Sequence, residues 1–109
     1  MGISAGAGLA GRMLQDYPEL WRGAILLSPV YLPAPSQLKA ARILIDSGAN
    51  DTYLKESGGI GRLIQFQDAA ALAGIPVTLA IHDRASHVYR SKIAENGRIQ
   101  EILEFLAAD

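Results

Sequence analysis

The chain has 109 residues, half of them apolar and about a fifth charged, with a net charge of −1 and no cysteine. That bounds it to one domain or part of one, with enough apolar residues for a packed core. The mixed acids and bases give no electrostatic reason to expect a nucleic-acid partner or an anionic membrane surface, and the missing thiols exclude disulfides and thiolate metal sites.

Two histidines without cysteines leave a structural zinc site unsupported. No apolar run approaches the roughly 18 residues of a membrane span. The N-terminus lacks a basic n-region and does not read as a secretory signal, so the cytoplasm is the expected compartment of the chain as given.

In chain order, residues 5–16 are rich in Ala, Leu and Met and read as a helix ended by Tyr17-Pro18, because a residue before proline avoids the helical region. Residues 23–27 form an apolar run closed by Ser28-Pro29 and predict a buried strand. Pro29, Pro33 and Pro35 keep the next stretch irregular, with one helical turn at 36–40. Residues 42–46 predict a second strand, and Gly48-Ala49-Asn50-Asp51 is turn chemistry.

A helix over 60–73 follows, stopped by Gly74 and Pro76. Residues 77–81 carry β-branched residues and predict a third strand. After a polar loop over 82–90, residues 98–107 form an amphipathic helix with Ile99, Ile102, Leu103 and Leu106 on one stripe. Apolar strands separated by a dozen or more residues predict an α/β fold, a short parallel sheet of about three strands flanked by helices. No linker divides the chain, which reads as a single unit over 1–109.

Two site motifs overlap at the start. Gly6-Ala7-Gly8-Leu9-Ala10-Gly11 spells a dinucleotide-binding turn. That reading needs a ribose-binding acid at the end of the next strand. The next strand ends in Ser28-Pro29, so it fails. Gly2-Ile3-Ser4-Ala5-Gly6 spells G-x-S-x-G, a nucleophile turn. A serine hydroxyl is a weak nucleophile and needs an imidazole to take its proton and a carboxylate to orient that imidazole. In an open parallel sheet such groups gather beyond the carboxyl ends of strands. Asp51 follows the second predicted strand and His87 the third.

Each residue also has a structural reading. Ser4 suits a helix N-cap and Asp51 an Asx turn. Asp46, at a strand end, is the rival acid and fits better as the partner of backbone or an arginine. His82 is the rival base and reads as structural. Tyr17 and Trp21 read as packing. Tyr31, Tyr53 and Tyr89 lie in loops at strand ends, equally suited to line a pocket or to be scattered surface aromatics.

The motif and the order Ser4, Asp51, His87 resemble the serine α/β-hydrolases, from the nucleophile elbow to the last helix. The compact spacing is similar to the small lidless esterases and dienelactone-hydrolase-like enzymes. The resemblance implies a partial α/β-hydrolase domain over 1–109 lacking its N-terminal half. It implies carboxylic-ester hydrolysis through an acyl-enzyme, without cofactor or metal. Ser4 would be the nucleophile, Asp51 the acid, His87 the base, and the Ala5 amide an oxyanion-hole donor, with Gly2 and Gly6 giving the elbow its space. The expected partner is a small-molecule ester. The alternative expectation is a non-catalytic, hydrolase-like domain that folds by self-association or with a complementing chain, because a thin sheet exposes an apolar edge.

Overall fold

The computed structural model describes residues 1–38, 42–87 and 97–108. Four strands, β1 (Gly2–Ile3), β2 (Gly23–Leu27), β3 (Arg42–Gly48) and β4 (Val77–His82), form one sheet in the order β1-β2-β3-β4, parallel throughout. The sheet therefore has one strand more than the sequence predicts. Gly2 and Ile3 pair with Leu26 and Leu27. Two residues carry no periodicity, so only their pairing with β2 identifies them as a strand.

The central strands are apolar without alternation because both faces are covered. Ala24, Leu26, Ile43 and Ile45 face α1 (Ala5–Asp16) and α3 (Ile60–Leu72), packing with Ala7, Leu14, Leu63, Phe66 and Ala70. Ile25, Leu27 and Leu44 face α4 (Arg98–Ala107) and pack on Ile102 and Phe105. Short 3-10 turns occupy Pro18–Leu20 and Pro35–Gln37. The second replaces the helical turn predicted at 36–40, whose last two residues lie outside the described residues.

Two further differences have physical causes. A short helix, α2 (Thr52–Glu56), follows β3, where the sequence reads only as a turn. Asp51 nucleates it, its side chain accepting hydrogen bonds from the amides of Tyr53 and Leu54, and Leu54 is buried in the core. In α4 only Ile102 of the predicted apolar stripe is buried against the sheet. Arg98 and Ile102 are buried, whereas Ile99, Leu103 and Leu106 are exposed. Arg98 Nε donates to the buried Asp46 on β3. Leaving the Arg98 charge buried and unpaired would cost several kcal/mol, which weighs against turning Ile99, Leu103 and Leu106 inward.

The loops after β3 and β4 are stapled together. The Ala49 and Ala85 amides both donate to the His82 carbonyl, and the Asn50 amide donates to the Ala85 carbonyl. Gly48 is required at this crossing. A Cβ there would lie 2.2 Å from the Ala85 carbonyl oxygen. Among the described residues, no helix is long and apolar enough to cross a membrane.

Candidate active site

Ser4 lies between the end of β1 and the first residue of α1, with φ 56° and ψ −117°. A positive φ is uncommon outside glycine and is held only where the surroundings enforce it. Here its amide donates to the Leu27 carbonyl at 2.8 Å, and its carbonyl accepts from the Ala7 amide at 3.0 Å. Its side chain makes no capping bond to α1, so the N-cap reading does not apply. The turn is sharp because Gly2 has no side chain. A Cβ on Gly2 would lie 2.0 Å from the Gly6 carbonyl oxygen. Gly6 has no such role in this chain. A Cβ there would meet nothing within 4 Å, since it borders an apolar groove lined by Met1, Leu9, Met13 and Trp21.

The Ser4 hydroxyl points away from the helix to the His87 imidazole, with Oγ 2.7 Å from Nε2. On the other side of the ring, His87 Nδ1 lies 2.6 Å from Asp51 Oδ2. A carboxylate only accepts, so Nδ1 carries the proton and Nε2 is left to accept from Ser4. Asp51 and His87 are buried. Asp51 divides its oxygens: Oδ1 caps α2 and Oδ2 holds the imidazole. Its turn role and its pairing with His87 therefore coexist. Ala5 opens α1, so its amide has no acceptor within the helix and sits at the positive end of the helix dipole.

Tyr53, two residues beyond Asp51, places its ring 4.8 Å from the His87 ring at 57°, and half of it stays exposed. The sequence places Tyr53 in a loop at a strand end, but gives no sign of the ring contact, which depends on α2. Tyr31 is largely exposed, and Tyr17 and Trp21 are half-exposed rather than packed away. Tyr89 lies outside the described residues.

The rival acid and base are also brought together, in a separate cluster on the α4 side of the sheet. His82 Nε2 lies 2.7 Å from Asp46 Oδ2 and 3.3 Å from Glu101 Oε1, and Arg98 Nε donates to Asp46 Oδ1 at 2.7 Å. Asp46 and Arg98 are buried. Burial, followed by hydrogen bonding and like charge from Asp46, raises the Glu101 carboxyl from its ordinary 4.5 to about 8. The sequence does contain a signal for Arg98: a cation in the first turn of a helix opposes the dipole, so it needs a compensating partner elsewhere. Asp46, His82 and Glu101 bring their ligating atoms within 4.8 Å of one another. The guanidinium already on Asp46 disfavours a cation there.

Neither a protein-family model nor a curated protein matches the sequence. Solved structures do. A Bacillus cereus carboxylesterase matches with a TM-score of 0.72 at 21% identity, over 95% of this chain and 46% of its own. A Pyrococcus horikoshii acylaminoacyl peptidase matches with a TM-score of 0.72 at 15% identity, over 96% of this chain and 23% of its own. A protein of unknown function from Agrobacterium tumefaciens matches with a TM-score of 0.68 at 24% identity, over 97% of this chain and 48% of its own. The chain thus spans about half the length of two of these structures and a quarter of the third. At this identity the likeness establishes the fold: the chain has the α/β-hydrolase architecture.

Proposed function

We propose that this chain is the nucleophile-bearing part of a serine hydrolase that cleaves carboxylic esters through an acyl-enzyme. The observation that carries the reading is the continuous hydrogen-bonded series Ser4 Oγ, His87 Nε2, His87 Nδ1, Asp51 Oδ2, with both bonds between 2.6 and 2.7 Å. The strained backbone of Ser4, held at the start of α1, supports it as well, since that conformation frees the hydroxyl from any capping role.

In the proposed reaction Ser4 Oγ attacks the ester carbonyl carbon as its proton passes to His87 Nε2. Asp51 stabilises the imidazolium. Negative charge develops on the carbonyl oxygen, where the Ala5 amide donates. The tetrahedral intermediate collapses, the C–O bond breaks, and the alcohol leaves with the proton from Nε2. Water then repeats the sequence on the acyl-Ser4 ester, and the carboxylic acid departs with Ser4 restored. A second oxyanion donor comes, in this reading, from a segment ahead of the elbow, supplied in cis or in trans. One such donor is worth on the order of 100- to 1,000-fold in rate.

A fluorophosphonate probe that reacts with activated serines tests the reading. The parent chain should label on Ser4, and Ser4→Ala and His87→Ala should not. A well-folded parent that does not label, or a Ser4→Ala chain that labels at the parent rate, would count against it.

A further inference from the structure

The Asp46–His82 pair takes no part in the chemistry proposed above, yet it lies against the elements that carry that chemistry. We propose that Asp46, His82 and Arg98 form a positioning network that holds the Asp51 loop and the His87 loop in register. This rests on the proposed function for its consequence, but not for its geometry.

The argument begins with the backbone of residue 82. Its carbonyl accepts from Ala49 at 2.9 Å and from Ala85 at 3.1 Å. Ala49 stands two residues before Asp51, and Ala85 two before His87. One carbonyl is therefore the common anchor of both loops. It lies at the last residue of β4, an edge strand among the described residues that pairs with β3 on one side only, with His82 opposite Gly48. The second constraint comes from the side chain. His82 Nε2 bonds Asp46, which is 0% exposed and rooted in the middle of β3. Asp46 is fixed in turn by the buried guanidinium of Arg98 on α4. Both carboxylate oxygens are occupied, so it makes a rigid post. Triad geometry has little tolerance. A displacement of about 1 Å can cost roughly 100-fold in rate.

The network also dictates a tautomer. Asp46 accepts, so His82 donates from Nε2. A glutamine at this position presents an amide N–H at the same bond count from the backbone, whereas leucine fills similar space with no donor. The experiment compares the parent, His82→Leu and His82→Gln for two readouts: the probe-labelling rate of Ser4 per folded molecule, and the downfield proton resonance of His87 Nδ1–H.

The expected result is a labelling rate at least tenfold lower in His82→Leu, with the His87 resonance shifted or lost. Both readouts return toward the parent in His82→Gln. A folded His82→Leu chain with the parent's rate and resonance overturns the proposal. So does a His82→Gln chain that behaves as His82→Leu or fails to fold, because donation to Asp46 would then not be what matters. If His82→Leu itself fails to fold, His82→Gln decides alone. If the parent never labels, the proposed function fails, and the His87 resonance still judges the network.

Discussion

Ser4 is held at φ 56° by a turn that tolerates a side chain at one of its two glycines and not at the other. Gly2→Ala would drive a methyl carbon into the Gly6 carbonyl, against backbone that cannot give way. It should destabilise the chain by at least about 2 kcal/mol and abolish labelling of Ser4. Gly6→Ala meets open space and replaces a helical glycine by the best helix former. It should stabilise by about 0.5 kcal/mol. Thermal unfolding of the two variants checks the contrast. Equal effects would mean that the elbow is not built as described. The G-x-S-x-G pattern is legible as a motif, but it does not say which glycine matters. That depends on what lies opposite each one in space.

Helix α2 separates two functions of one side chain. Asp51 caps it through Oδ1 and holds His87 through Oδ2. Asp51→Asn keeps an acceptor for the cap while losing the carboxylate. Stability should stay within about 0.5 kcal/mol, while any esterase turnover falls on the order of 10³- to 10⁴-fold. Asp51→Ala removes both, costing about 1 kcal/mol of cap energy in addition. Chemical denaturation beside turnover on an aryl ester separates the two effects.

On the α4 side of the sheet, burial, followed by hydrogen bonding and like charge from Asp46, raises the Glu101 carboxyl to about 8. The folded chain then holds a proton that the unfolded chain, with its ordinary value near 4.5, has released. Stability from this group therefore falls as pH rises from about 4.5 to about 8. Glu101→Gln should flatten the melting temperature across that window, while a parent whose melting temperature rises steadily through it would contradict the assignment. The amphipathic pattern of 98–107 correctly marks a helix, but of its stripe only Ile102 packs on the sheet. Apolar periodicity does not register that Arg98 must reach Asp46.

For the molecule as a whole, the decisive feature is a parallel sheet whose first strand is two residues long. β1 is an edge among the described strands, and the groove beside it is lined by Met1, Leu9 and Trp21, all substantially exposed. An open edge beside exposed apolar side chains favours pairing with another chain or segment. The expected behaviour is association that grows with concentration, read by sedimentation velocity across a dilution series. A strictly monomeric chain at every concentration would count against it.

The sequence by itself determined the α/β class, the two long helices around the first and third crossings, and three of the four strands, and it singled out Ser4, Asp51 and His87 as candidates. These follow from local physics: apolar runs of strand length, proline and glycine stops, and a G-x-S-x-G pattern whose candidate partners belong at strand ends. Only the tertiary structure decided that Gly2 and Ile3 are a strand, that Asp51 starts a helix while holding His87, and that Asp46 and His82 form a second pair anchored by Arg98. Each of these is a contact between groups far apart in the chain. Such contacts are set by strand register and by the need to satisfy buried charge, and neither leaves a periodic trace in the sequence.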